Sequence, residues 1–284
     1  MLRTAALVLA LVLAAPSPAA AAPAVVIPPG ESGAPAALES SPRHGEYVDV
    51  PMGKDAPALR CYVVYPERKD KAPVVLVIQE IYGLSPWLKS VTDGLAAAGF
   101  LAIAPDYLSG FGPGGGGTDS MTTRDETVKA TRALTGDEVM RRTDAARAWA
   151  AALPAATKKF ATVGFCWGGA QSFAYAAGAT PPDAAVVYYG TSPDSAALLR
   201  VAAPVLGLYG EDDARVNATI PAARAALDAR KSFYETNLYP GAGHGFLRQQ
   251  DGREGANLAA AQKAWPRTIE FLRQHLETAP APGK

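Results

Sequence analysis

Two hydrophobic periods run along the chain, and the places where one gives way to the other mark the elements. "RCYVVYP" (60–66) reads as a strand. "APVVLVIQEIYG" (72–83) opens on an unbroken apolar, largely β-branched run, the pattern of a strand buried on both faces. "SPWLKSVTDGLAAAG" (85–99) is helical: Ser85 can cap it, Pro86 suits its first turn and Gly99 stops it. "FLAIAPDYL" (100–108) is a second buried strand, and "TGDEVMRRTDAARAWAAAL" (135–153) an amphipathic helix with acids in its first turn. "FATVGFC" (160–166) is a strand that leads into a helix of small residues, 168–179. Strands follow at 184–190, 203–210 and 232–240, with a helix from Ile220 to Ala229 between the last two. Residues 256–276 form one helix kinked, or two joined, at Pro266. Strands alternating with helices predict an α/β fold, a mostly parallel central sheet with helices on both faces.

The ends of the chain read differently. Met1-Leu2-Arg3 supplies one positive charge, an eleven-residue apolar run follows, and "PSPAAAAPA" offers small residues to a signal peptidase. Residues 1–22 are therefore expected to be a cleaved signal, which places the mature protein outside the cytoplasm, in the periplasm or secreted. A stable membrane anchor needs about 20 apolar residues, and Pro16 and Pro18 interrupt too early. Residues 23–45 are rich in Pro, Ala, Gly and Ser and are expected to be a flexible arm; 278–284 are a tail. One domain, 46–277, lies between.

Composition narrows the partners. Lys+Arg and Asp+Glu are both 27, and no block of like charge occurs, so no basic face is available for nucleic acid. A small-molecule substrate and a monomeric chain are the expectation.

The chemistry concentrates at Gly164-Phe165-Cys166-Trp167-Gly168. It follows a buried strand and precedes a helix, and fits G-x-nucleophile-x-G, the nucleophile elbow. Residues two before and two after the nucleophile crowd each other, which excludes side chains there. The thiol then stands above the sheet at a helix N-terminus, where its thiolate is favoured. Neither a dinucleotide fingerprint nor a phosphate loop fits, because the glycines fall at 164, 168 and 169 and no Gly-Lys-Ser/Thr follows. "GFGPGGGGTDS" (110–120) reads as a flexible surface loop. Of three histidines, His44 lies in the arm and His275 near the end of the last helix, both expected to be solvated. His244, in the glycine-rich "PGAGHGF", is the candidate base. An orienting acid should lie between them in sequence, and "VLGLYGEDDARV" offers Glu211, Asp212 and Asp213; Asp213 is preferred, with Asp212 the fallback. Cys61 is read as core.

These residues resemble the dienelactone hydrolases (carboxymethylenebutenolidases), cysteine-nucleophile members of the α/β-hydrolase fold. "VIQEIYG" (77–83), "APDYL" (104–108), "GFCWGG" (164–169), "YYG" (188–190), "YGEDDARV" (209–216) and "AGHGF" (242–246) carry the resemblance across the domain, in family order. It implies Cys166 as nucleophile with Asp213 and His244, and an oxyanion hole from the backbone N–H groups of Ile81 and Trp167. It assigns Glu80 to the thiol as an activating acid, and Arg248, Tyr107 and Tyr188 to the substrate. Where the family places a second carboxylate-binding arginine, this chain has Gly110, and its next arginine is Arg124. The function expected is hydrolysis of ester or lactone bonds through a thioester acyl-enzyme, with no cofactor and no metal. The alternatives are a broad carboxylesterase or thioesterase with the same triad, and a redox or non-catalytic thiol protein. A C-x-x-C pair, which redox chemistry would favour, is missing.

Overall fold

In a computed structural model that describes residues 25–277 apart from Asp55, the apolar runs become an eight-stranded sheet. The expected signal (1–22) and tail (278–284) lie outside the described residues. In chain order the elements are α1 (Ala34–Glu39), β1 (Gly45–Val50), β2 (Leu59–Val64), β3 (Ala72–Ile78), α2 (Pro86–Ala97), β4 (Leu101–Pro105), α3 (Arg124–Ala133), α4 (Gly136–Ala151), β5 (Ala156–Phe165), α5 (Trp167–Tyr175), β6 (Ala184–Tyr188), α6 (Ser195–Leu198), β7 (Val205–Asp212), α7 (Ala214–Asn217), α8 (Ile220–Ala229), β8 (Tyr234–Gly243) and α9 (Ala256–Leu276). The strands lie in the order β1-β2-β4-β3-β5-β6-β7-β8. The first two pairings are antiparallel, and every pairing from β4 to β8 is parallel.

Strand β3 shows why the sheet needs cover on both faces. Its alternate residues Val75 and Val77 pack with α2 and α9, while Val74, Leu76 and Ile78 pack with α4. Farther along the sheet, α5 and α8 cover the β6 and β7 side chains that face away from α9. Each large aliphatic side chain buried this way contributes about 1.5–3 kcal/mol. The parallel strands end together, so the loops that follow β3, β5, β7 and β8 share one edge of the sheet, the place where open α/β sheets bind ligands.

Five features depart from the sequence reading. The polar, half-exposed strand β1 was hidden because an edge strand has no apolar run to show. Helix α3 buries only Thr127 and Thr131, and what begins it is a capping box, Thr123 with Glu126. Helix α9 runs unbroken through Pro266, held by Trp265, Ile269 and Leu272, which are buried against the sheet. The glycine-rich segment 110–120 is stitched rather than free. Its Gly110 and Gly112 amides both donate to the Gly116 carbonyl, and the buried Asp106 carboxylate accepts from the Thr118 amide and hydroxyl, each at 2.7 Å.

The largest departure is the segment expected to be a flexible arm. From Val25 onward it is a docked strap. Val25 and Ile27 pack on the core, and Gln250 donates to the Pro28 carbonyl at 2.8 Å. The Glu31 amide donates to the Arg248 carbonyl at 2.8 Å. At the far end Asp93 of α2 accepts from Ser41 at 2.6 Å and from both Arg43 Nε and Nη2, at 2.9 and 2.5 Å. A Pro/Ala/Gly/Ser composition predicts freedom only when no distant partner exists, and here the partners lie up to 222 positions away. Asp93→Asn removes the charge that holds this end. It is expected to lower unfolding stability by about 1–2 kcal/mol in urea denaturation, with the m-value unchanged.

Candidate active site

The turn from β5 into α5 is where the chain is most constrained. Cys166 sits between them at φ 55° and ψ −112°, a positive-φ conformation that costs a residue with a β-carbon about 1–3 kcal/mol. The flanking glycines make this turn possible. A β-carbon on Gly164 would lie 1.9 Å from the Gly168 carbonyl oxygen, and one on Gly168 would lie 2.3 Å from that of Gln79. The Cys166 amide donates to the Tyr188 carbonyl at 3.0 Å, tying the turn to the end of β6. The half-buried sulfur is thereby presented at the start of α5.

Three loop ends converge on it. His244 follows β8 directly, and its Nε2 lies 3.0 Å from Cys166 Sγ. Its Nδ1 lies 2.6 Å from Asp213 Oδ2. Asp213 is buried and also caps α7, its Oδ1 accepting from the Val216 amide. One carboxylate thus holds the imidazole and a helix end together. The structure separates Asp213 from its neighbours: Asp212 is exposed and pairs with Arg253, and Glu211 accepts from the Gly241 amide. Of the remaining histidines, His44 pairs with Glu46 at the surface and His275 packs its ring edge-on against Phe271.

Burial by itself pulls the His244 imidazolium down. The Asp213 hydrogen bond and the sulfur of Cys166 outweigh it and raise the pKa to about 9. At neutral pH the protonated ring therefore lies against the sulfur and the carboxylate, an arrangement in which a thiolate is electrostatically matched. Because the folded pKa lies above the unfolded one, this contribution to stability is complete below about pH 6.5 and is lost as pH rises through about 9.

A cavity of about 480 Å³ opens over the sulfur, and Ile81, Trp167, Tyr189 and His244 are among the residues that line it. Ile81 follows β3 and Trp167 opens α5, and neither backbone amide has a hydrogen-bond partner among the described residues. Unpaired N–H groups on two residues that line the cavity with Cys166 are what a developing oxyanion would require. The described residues contain no group of three His, Cys, Asp or Glu side chains that could hold a metal ion.

Four residues expected at the site are placed differently. Tyr107 is fully buried, its hydroxyl 2.7 Å from Thr143 of α4, and it supports the Trp167 ring edge-on from below. Tyr188 is equally buried, with its hydroxyl 2.7 Å from Thr268 of α9. The next residue, Tyr189, lines the cavity instead, because the backbone turns to φ 39° just past β6. Glu80 does not bond the thiol. Its Oε2 accepts from Arg248 Nε at 2.6 Å, its Oε1 has no partner, and burial raises its pKa against the opposing pull of Arg248. Arg248, only 6% exposed, is filled on its other side by Glu31 of the strap, with its guanidinium over the Tyr82 ring. Arg124, the nearest arginine in sequence to the expected second position, also pairs with Glu31 and stacks on Tyr82. Two cavity-lining residues carried no sequence signal: Arg132 at the end of α3 and Arg215 in α7. Both lie in short surface helices whose polar patterns do not distinguish a site from a solvated face.

A profile of the dienelactone hydrolase family matches residues 59–276. A Yersinia pestis protein named "Putative carboxymethylenebutenolidase" is 32% identical over 243 residues, spanning 81% of this chain and 88% of its own. A Salmonella typhimurium protein of the same name is 32% identical over 236 residues, spanning 79% and 84%. Among solved structures, a Klebsiella pneumoniae protein described as a "Putative Dienelactone Hydrolase" superposes with a TM-score of 0.70 at 28% identity, covering 82% of this chain and 99% of that one. The acylaminoacyl peptidase of Pyrococcus horikoshii, at 15% identity and TM-score 0.66, covers 89% of this chain and 45% of its own length, and shares the α/β-hydrolase fold.

Two measurements check the geometry. The His244 ring is expected to titrate near pH 9 by NMR, and Asp213→Asn to move it down, since the carboxylate that opposes burial is then lost. Tyr188→Phe is expected to cost about 1 kcal/mol of stability through the lost hydrogen bond to Thr268, whose hydroxyl keeps its bond to the Ala264 carbonyl, while kcat/KM on a small ester stays within about twofold.

Proposed function

We propose that this chain, a member of the dienelactone hydrolase family, hydrolyses its ester or lactone substrates through a thioester on Cys166, with His244 as proton carrier and Asp213 as the orienting acid. The observation that carries the reading is the unbroken contact from Asp213 through His244 to the Cys166 sulfur, at 2.6 and 3.0 Å.

The steps follow from those contacts. The Cys166 thiolate attacks the carbonyl carbon, and the carbonyl π pair moves onto oxygen. The Ile81 and Trp167 amides receive that oxyanion, each donor worth about 3 kcal/mol. As the C=O re-forms, the C–O bond to the alcohol breaks, and the leaving oxygen takes the proton from His244 Nε2. Neutral His244 then removes a proton from water, whose oxygen attacks the thioester. Collapse expels the thiolate, releases the acid and leaves the imidazolium–thiolate pair restored. Asp213 stays ionised throughout and holds Nδ1–H, so that Nε2 always faces the sulfur.

His244, not Glu80, activates the thiol in this mechanism, because Glu80 is engaged by Arg248 and the sulfur by the imidazole. A redox role is disfavoured by the second cysteine: Cys61 is fully buried in the sheet and burial pushes its thiol well up, so it is a poor resolving partner. Export follows from residues 1–22, and a mature N-terminus near Ala20–Ala22 on protein recovered from the periplasm would support it.

With 4-nitrophenyl acetate, Cys166→Ala is expected to lose at least about a thousandfold in kcat. Rapid-quench mass spectrometry of the wild type should find one acetyl group on Cys166. Unchanged turnover in Cys166→Ala would remove the cysteine from the mechanism.

A further inference from the structure

The four arginines around the site divide into two kinds. Arg248 and Arg124 are committed: Glu31 pairs with both, Glu80 holds Arg248 from the inside, and both guanidinium groups stack on the Tyr82 ring. Neither is among the residues that line the cavity over Cys166. Arg132 and Arg215 do line it. Both are exposed at its rim, and among the described residues neither makes an ion pair, a side-chain hydrogen bond or a stacking contact with a ring. No Asp or Glu lines the cavity, so beyond the paired His244 and Cys166 its charged groups are two guanidiniums. A concave site with a net positive charge and low-dielectric walls concentrates anions.

Their positions in the fold separate the two. In the sheet, β3 lies on one side of β5, and β6 and β7 lie on the other. Arg132 belongs to the β3 side, because the adjacent Thr131 is buried and accepts from Gln79 Nε2, just past the end of β3, at 3.5 Å. Ile81, one of the two oxyanion-hole residues, is on that side too. Arg215 belongs to the β7 side, two residues after Asp213 and next to the Asp213–His244 pair that protonates the leaving oxygen.

We propose that Arg132 and Arg215 form two anion subsites on opposite sides of Cys166, Arg132 for the acyl portion of the substrate and Arg215 for the alcohol portion. The preferred substrate is then an ester or lactone with a carboxylate on each side of the bond to be cleaved. The anion-binding role that Arg248 would otherwise fill has passed to these two, because the strap carboxylate Glu31 occupies Arg248. The inference rests on Cys166 being the nucleophile, since that fixes which side of the cavity is which.

Two matched substrate pairs test it with the full chain. Mono-4-nitrophenyl succinate against 4-nitrophenyl butyrate places the charge on the acyl side. 4-Acetoxybenzoate against its methyl ester places it on the leaving side. Arg132→Ala is expected to lower the charged-to-neutral ratio of kcat/KM about tenfold for the first pair, through KM, and Arg215→Ala to do so for the second. Raising ionic strength should shrink both wild-type ratios. Arg132→Glu and Arg215→Glu should each depress the corresponding ratio further than alanine. Ratios that move for neither variant, or for both pairs in one variant, overturn the proposal. Neutral esters that turn over in wild type and not in Cys166→Ala, with ratios unmoved, would leave the nucleophile standing and sink the subsites alone. Neutral esters that wild type fails to cleave would take both down.

Discussion

The structure turns on one close approach of backbone to backbone. Where β5 becomes α5, Gly164 and Gly168 pass so near each other that a single β-carbon would meet a carbonyl oxygen at 1.9 Å. The crossing forces Cys166 to a positive φ and points its sulfur off the sheet edge. It also leaves the Trp167 amide without a hydrogen-bond partner among the described residues, at a residue that lines the cavity with Cys166. The conformation is tolerable because the surroundings over-determine it: β5 is hydrogen-bonded on both sides, and the Cys166 amide is held by Tyr188.

Around that turn, charge is arranged in two separate chains. Asp213, His244 and Cys166 alternate acid, base and thiol along one line, and the carboxylate that orients the ring also caps α7. Beside it, Glu31, Arg248 and Glu80 alternate acid, base and acid. Glu80 is buried deeply enough that its charge would be costly alone, and Arg248 is its compensation. Glu31 in turn draws the N-terminal strap onto the domain, so a segment remote from the thiol becomes part of the surroundings of the active site.

Most of the fold was legible because its signals are local. The apolar runs of β3, β4 and β6, the cap of α2 and the acidic first turn of α4 can be read from a few adjacent residues. The elbow was legible for the same reason, since the steric demand at Gly164 and Gly168 is expressed within five residues. Asp213, preferred over Asp212, is the carboxylate that lies 2.6 Å from His244 Nδ1. The strap, the edge strand β1 and the uninterrupted α9 were not legible, because each is stabilised by partners far away in the chain: Arg248 for Glu31, β2 for β1, and the sheet for Trp265 and Ile269.

The side-chain roles mark the boundary most clearly. Tyr107 and Tyr188 occupy the segments where site residues were expected, yet both reach into the core, toward Thr143 and Thr268; Tyr189 faces the cavity because of a backbone turn one residue later. Sequence by itself determined most of the elements, the elbow turn and the chain order of Cys166, Asp213 and His244, since these depend on residue types at short spacing. Only the tertiary structure decided which arginines are free. Ion pairing is settled by proximity across the whole chain, and Glu31 lies 217 positions from the Arg248 that it occupies.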